Sequence, residues 1–437
     1  MELNEMNRLL LAHADILTLE KGGWRTLRDA YLGIDNETIC YLSETAPTEP
    51  YDETKNMRGK LLIPGLINCH CHAPMVFLRG IGSDLNLQDW LYNYIFPPEA
   101  KWTDKGIRAA SELAILELLA SGVSSFSDMY YRNVNTIEAL CQAGMKANLC
   151  RSTQGRKDLP YQQNTDCKEG LALFDAYHNY NGGKIKIDLC IHAEYTNTPE
   201  TIEAYSAACY ERGAGMHIHL SETKREQMEC VAKYSMTPAA LFEKLGTFRN
   251  RTTAAHCVWV TQEDMDIFKA NGVNPVHCPS SNMKIGSGFA PIQQMLDRGI
   301  NVTLGTDGAA SNNNLNMLEE MHLASVIHNG YTGDPTVVKP ADVLKMVTVN
   351  GARLQGRADT GLLEVGKKAD VVAIDFDKPH LIPALDYPAM LCYAVQGSDV
   401  CMTMVDGRIL YENGEYKTLD AEKIRAESRQ ALKELYE

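Results

Sequence analysis

The sequence predicts an α/β protein: a closed parallel (β/α)8 barrel of the TIM type, flanked by strand-rich segments at both chain ends. Three observations carry this prediction. In the middle of the chain, eight short apolar runs alternate with longer amphipathic stretches, as strand–helix repeats do. At both ends, short apolar or alternating runs are broken by Gly, Asn and Asp. Histidines and one aspartate stand where the central runs finish, at the rim on which barrels of this kind gather their chemistry.

In chain order, residues 1–60 read as strands over 9–12, 15–19, 30–34 and 38–42. Residues 61–365 form the barrel, with strands over 61–67, 123–128, 145–150, 185–192, 215–220, 253–256, 273–277 and 301–305. Helical patterns fill 104–120, 136–143, 168–180, 199–212, 238–245, 263–270 and 291–298, and another over 315–327 follows the last strand. Residues 366–437 return to strands at 369–374 and 400–405, with turns at Asp406-Gly407 and Asn413-Gly414, and close on a helix from about Asp420. No Gly-x-Gly-x-x-Gly turn follows the first barrel strand, which disfavours an open dinucleotide-binding sheet. The connection over 73–102 is unusually long and carries Trp90, Tyr92, Tyr94, Pro97, Pro98 and Trp102. Loops of that length inside a compact domain are usually lids or binding loops.

Charge narrows the partners. The 437 residues hold 42 Lys and Arg against 56 Asp and Glu, a net charge of −14. Phosphate binding needs a positive surface, so no nucleic acid and no anionic membrane is expected as a partner. The N-terminus lacks a basic segment leading into an apolar stretch, and no run is long enough to span a bilayer. Thirteen scattered cysteines without a Cys-x-x-Cys pair read as reduced thiols of a cytoplasmic protein.

His70-Cys71-His72 ends the first barrel strand, and residues two apart on a strand point to the same side. A lone His-x-His is weak evidence for a metal. His219 ends the fifth strand, His256 the sixth, and the eighth runs into Asp307, so five candidate groups share one rim. Neutral imidazoles with a carboxylate suit Zn²⁺ or Fe²⁺. A divalent ion lowers the pKa of bound water towards 7. Asp307 can then take the water proton, Glu222 can protonate an electron-rich ring nitrogen, and His256 can orient the attacking oxygen. Lys184 and Lys186 lie at the start of the fourth strand and His192 at its end, so no bridging lysine is expected and the site holds one ion per chain. His217 reads as support for the cluster, and His277 as a neighbour of it or as core.

These residues sit in a recognisable set: Pro64-Gly65-Leu66-Ile67-Asn68-Cys69-His70-Cys71-His72, Leu78-Arg79-Gly80, Asp89-Trp90-Leu91, Pro98-Glu99-Ala100-Lys101, His219-Leu220-Ser221-Glu222-Thr223, Ala255-His256-Cys257, Ser281-Asn282-Met283-Lys284, Leu304-Gly305-Thr306-Asp307-Gly308 and Gly366-Lys367-Lys368-Ala369-Asp370. Over nearly its whole length the chain resembles the amidohydrolase superfamily, and most closely its S-adenosylhomocysteine, 5′-methylthioadenosine and 5′-deoxyadenosine deaminases. The resemblance implies that His70, His72, His219 and Asp307 bind the metal, that Glu222 handles the ring proton and that His256 assists. It implies a ribose diol on Glu99, an aromatic wall at Trp90, purine contact by His192 and an arginine, Arg151, pointing into the pocket. It also implies that the strands of residues 1–60 and 366–437 form a small β-sandwich domain built from both chain ends, a small nucleoside substrate and a homo-oligomer. One departure is Asp166-Cys167-Lys168-Glu169, where relatives that accept S-adenosylhomocysteine carry a second arginine. Lys168 and Arg156 are the candidate substitutes, and a short 5′ substituent fits better than a homocysteine tail. The expected reaction is hydrolytic deamination of a 5′-modified adenosine. The competitors are a free-base or s-triazine hydrolase, distinguished by Glu99, and a non-catalytic barrel scaffold, disfavoured by the complete ligand set.

Overall fold

The computed structural model describes residues 8–85, 87–155 and 159–437. The chain opens on two 13-residue antiparallel strands, β1 (Arg8–Glu20) and β2 (Gly23–Asp35), followed by β3 (Thr38–Ser43), β4 (Glu53–Asn56) and β5 (Lys60–Pro64). The sequence pattern breaks β1 into two pieces because its register shifts around His13, where the backbone turns left-handed (φ +63°). Such a bulge inserts a residue and destroys the alternation by which a strand is read.

The C-terminal strands β15 (Val371–Asp375), β16 (Val400–Val405), β17 (Arg408–Glu412) and β18 (Glu415–Tyr416) join the same nine-stranded sheet, ordered β18-β17-β16-β15-β5-β1-β2-β3 with β4 on β1. Leu11, Ile16, Leu32 and Ile34 from one end and Val371, Ala373, Met402 and Met404 from the other share one apolar core, the sandwich interior.

The strand expected over 61–67 is divided. Lys60–Pro64 pairs with β15 and β1, whereas β6 (Leu66–Cys71) pairs with the next barrel strand. The crossing is at Gly65, where an added Cβ would lie 2.3 Å from Ser124 Oγ, so no larger residue fits between the two units.

The barrel strands are β6, β7 (Val123–Tyr130), β8 (Lys146–Arg151), β9 (Ile185–Ile187), β10 (Leu189–Ile191), β11 (Gly215–Leu220), β12 (Arg251–His256), β13 (Asn274–His277) and β14 (Thr303–Leu304). All their pairings are parallel. β9 and β10 are one strand interrupted at Asp188, whose carboxylate bonds Asn148 (2.8 Å) and Arg251 (2.7 Å). Counted so, the strands number eight, and a parallel bridge between Cys71 and Asp307 brings β14 back to β6. Burial on both faces explains why they read as continuous apolar runs.

The helices Asp104–Ala120 and Pro199–Arg212 fall where their periodicity predicts them, each started by a threonine cap, Thr103 and Thr198. Helix Lys224–Tyr234 escapes prediction because only Glu226 and Cys230 on it are buried, which leaves no apolar stripe to read. No helix among the described residues is long and apolar enough to cross a membrane.

A buried charge network ties the barrel to the C-terminal strands. Lys146 Nζ lies 2.7 Å from Asp370 and 2.6 Å from Asp406, with the lysine 4% exposed. Lys146→Met leaves the Asp370 carboxylate buried without its lysine, while Asp406 keeps only Lys184, and removing one partner of a buried ion pair typically costs about 3–5 kcal/mol. Urea denaturation of the variant is expected to show its midpoint well below that of the parent.

Candidate metal centre

Parallel strands deliver these side chains to one rim. His70 is the penultimate residue of β6, and His72 lies just past its end on the same side. His219 is penultimate in β11, His256 ends β12, and Asp307 follows β14. The backbone is left-handed at Ser221 (φ +47°), His256 (φ +71°) and Asp307 (φ +60°), all non-glycine residues. Single residues held in this region cluster at functional sites.

The candidate ligand atoms of His70, His72 and His219 lie within 4.8 Å of one another, and so do those of His70, His256 and Asp307. Asp307 Oδ1 stands 3.3 Å from His70 Nε2 and 3.2 Å from His72 Nε2. The far side of each group is tied down. His72 Nδ1–H donates to Met129 O (2.5 Å) and His219 Nδ1–H to His192 O (2.8 Å). A carbonyl only accepts, so Nδ1 carries a proton in both rings, and in the neutral form of each it is Nε2 that turns a lone pair to the cluster. His70 Nδ1 pairs with His217 Nε2 (2.9 Å), and His256 Nδ1 with Asn282 Oδ1 (2.9 Å). Asp307 Oδ2 accepts from Ser281 (2.6 Å) and Ser311 (2.7 Å), which leaves Oδ1 to face the imidazoles.

The residues fit a divalent cation. His70 Nε2 is fully buried with no hydrogen-bond partner, beside a carboxylate oxygen. Buried polar atoms without partners are rare, and this one points to where an ion would sit. Burial pushes His70 down to about 4 and His219 well below the usual histidine range, so both are neutral and ready to ligate. His72 goes the other way: burial opposes its charge, but the hydrogen bond to Asp307 overrides it and raises the pKa to about 9. The carboxylate thus draws positive charge to this spot, the charge a divalent ion supplies.

One cavity opens on the cluster and is lined by His72, Trp90, Glu99, His192, His219, Glu222, His256 and Asp307 among others. Glu222 is buried 3.8 Å from His256 Nε2; burial pushes its carboxyl up to about 7. His192 is neutral, held at about 4 by burial and then by the neighbouring imidazoles. Glu99 accepts from Tyr130 Oη (2.5 Å), and burial raises its pKa.

Arg151 departs from expectation. It lines an adjoining groove that shares Glu99 and Tyr131 with the cavity, and it is already paired. Its Nε donates to Glu169 (2.7 Å), its Nη2 to Asp166 (2.6 Å) and its Nη1 to Ser152 O. Lys168 is exposed and does not line that groove. Arg156 lies outside the described residues. His217 supports His70, while His277 bonds His328 (3.1 Å) and does not line the cavity. Lys184 bonds Asp406, and Lys186 bonds Gly356 O (2.5 Å). Sequence reasoning misses the work of Ser281, Asn282 and Ser311, although the first two lie in one of the motifs quoted above.

Comparison with known proteins agrees with this geometry. The amidohydrolase family matches residues 61–410. The chain is 39% identical over 429 residues to a 5-methylthioadenosine/S-adenosylhomocysteine deaminase of Acetivibrio thermocellus, covering 97% of this chain and 99% of the relative. It is 38% identical over 432 residues to a 5′-deoxyadenosine deaminase of Methanosarcina acetivorans, covering 98% and 99%. Among solved structures, an adenosine deaminase from Xanthomonas campestris with bound zinc superposes with a TM-score of 0.91 at 28% identity, covering 98% of both chains. With its barrel, its rim cluster and these full-length relatives, the chain belongs to the amidohydrolase family.

Proposed function

We propose that this chain hydrolytically deaminates a 5′-modified adenosine, such as 5′-methylthioadenosine or 5′-deoxyadenosine, to the inosine analogue and ammonia. The observation that carries the reading is a single cavity with the histidine–aspartate cluster and Glu222 on its wall together with the Glu99 carboxylate. The first set suits attack at the amino-bearing carbon of a purine. Two carboxylate oxygens suit a vicinal diol, because they accept from both hydroxyls in parallel. The near-full-length deaminase relatives support the same substrate class.

His70, His72, His219 and Asp307 are the residues we assign to one divalent ion per chain. Zn²⁺ is preferred in keeping with the zinc-bearing structural relative, although Fe²⁺ suits the same donors. When bound, such an ion supplies Lewis-acid charge that makes water a nucleophile near neutral pH. Asp307 accepts the proton of the attacking water. His256, held by Asn282, hydrogen-bonds the incoming oxygen. Glu222 gives its proton to N1 of the ring and C6 becomes tetrahedral; Asp307 then passes the water proton to the amino nitrogen, the C6–N bond breaks to release ammonia, and the C6 hydroxyl proton returns to Glu222 as the C6 carbonyl forms. Neutral His192 offers a hydrogen bond to the purine, and Trp90 forms an apolar wall.

The paired state of Arg151 favours an uncharged 5′ group. With each of its three nitrogens engaged, it has little left to repay desolvation of a homocysteine carboxylate. S-Adenosylhomocysteine is therefore placed behind the short 5′-modified nucleosides.

A screen of adenosine, 5′-deoxyadenosine, 5′-methylthioadenosine, S-adenosylhomocysteine, guanine and a chlorotriazine, read as ammonia or chloride released, tests the assignment. Glu99→Ala is expected to raise KM for nucleosides at least about tenfold, the loss of one or two charge-assisted hydrogen bonds, and to leave free bases unaffected. Equal turnover of adenine and its nucleosides by the parent enzyme defeats the nucleoside reading in favour of a free-base hydrolase.

A further inference from the structure

Behind Glu222 lies a buried pair of carboxyl groups that the reaction above does not use. Glu226 is 4% exposed and Glu194 is 3% exposed. The two oxygens of Glu226 divide between successive peptide groups at the end of β11: Oε1 accepts from Ser221 N (2.6 Å) and Oε2 from Glu222 N (2.8 Å). Glu226 sits in the first turn of helix Lys224–Tyr234, whose N-cap Thr223 accepts from Glu226 N (3.2 Å). The usual N-terminal clamp returns a Glu side chain to the cap residue itself. Here it also reaches beyond the cap and grips the segment that carries Glu222.

That segment needs holding. Ser221 is a fully buried non-glycine residue in the left-handed region, and such conformations persist only where surrounding contacts over-determine them. Ser221 Oγ adds a bond to Gln227 (3.0 Å), on the same helix. The path from β11 to Glu222 is therefore set by the first turn of the following helix.

We propose that Glu226 is a positioning residue for Glu222: by clamping the Ser221 and Glu222 peptide N–H groups it fixes where the Glu222 carboxyl stands over the ring nitrogen of the substrate. The proposal rests on the role given to Glu222 above. Glu194 completes the device as the second buried carboxyl group beside Glu226. Burial, and then the charge of Glu226, push Glu194 up to about 9; burial raises Glu226 as well, but the backbone donors of Ser221 and Glu222 pull it back, so of the two Glu194 holds a proton the more tightly.

The test is a double-mutant cycle on the metal-loaded, full-length protein with 5′-methylthioadenosine. Glu226→Gln puts an amide N–H₂ against one of the two backbone donors. It is expected to lower kcat about 10–100-fold, as loss of an orienting partner typically does, with KM within about threefold and metal content unchanged. In a Glu222→Gln background the same substitution is expected to cost less than about twofold, because a residue acting through Glu222 has nothing left to position. Equal losses in both backgrounds, or a loss confined to KM, overturn the proposal and leave Glu226 as a helix cap. If Glu222→Gln is itself fully active, the proposed function fails at that residue and the clamp has no catalytic object. Should Glu226→Gln not accumulate as folded protein, Glu226→Asp is read by the same cycle, since it keeps the charge but withdraws it by one methylene.

Discussion

Asp307→Asn is expected to lower kcat/KM by on the order of 10³-fold or more, and bound metal per chain should fall with it. The substitution keeps shape and volume, so the fold has no reason to fail. It removes the negative charge that sits 3.2–3.3 Å from two imidazole nitrogens, and with it the base proposed to take the water proton. Burial opposes ionisation of Asp307, yet the two imidazoles beside it, His70 and His72, hold its pKa well below the usual carboxylate range. Two serine hydroxyls on the far oxygen keep the carboxylate oriented. The amide that replaces it would present its N–H₂ to those serines and a weakly basic carbonyl to the cluster, or else turn its N–H₂ towards the imidazoles. Either orientation weakens the site. Elemental analysis and steady-state kinetics on the same preparation check the expectation, with thermal melting as the control for folding. A variant with a full complement of metal and undiminished turnover would remove Asp307 from the chemistry.

The parts of the molecule that are legible in the sequence are those with local rules. The barrel strands announce themselves because burial on both faces demands unbroken apolar runs, and the cluster histidines because β-geometry fixes which side residues 70 and 72 share. Thr198-Pro199 at one end and Gly213 at the other bracket their helix with familiar cap chemistry. The parts that stay hidden depend on contacts between segments far apart in the chain. Ser281 and Ser311 look like any loop serine until the fold brings both to the Asp307 carboxylate. Asn282 orients His256 from 26 residues away. Arg151 is found by its position on β8, but its pairing with Asp166 and Glu169 depends on how the following helix lies against the strand, which no pattern in either segment encodes. The division of the 61–67 strand at Gly65 is of the same kind, since both halves are equally apolar and only their partner strands differ.

Glu222→Gln should leave KM nearly unchanged and lower kcat by about 10²–10⁴-fold, the range that a positioned proton donor supplies. The amide fills the same buried niche beside His256 and can still donate a hydrogen bond to a ring nitrogen, so binding survives. It cannot surrender a proton, so the charge that develops on the ring during attack at C6 is left uncompensated. The pH dependence gives the argument its sign. Burial raises the Glu222 carboxyl to about 7, with the nearby His256 pulling it down and Asp307 pushing it up. The competent form is the protonated one, so kcat/KM in the parent enzyme falls as pH rises through the pKa of this group, about tenfold per unit beyond it. A cation bound at the cluster draws that limb below 7, because positive charge favours the carboxylate. In the Gln variant the limb has no titrating group behind it and should vanish, while any limb set by the attacking water remains. A profile whose alkaline limb persists unaltered in Glu222→Gln would assign the ring proton to another donor, and neutral His192, on the wall of the same cavity, is the next group to replace.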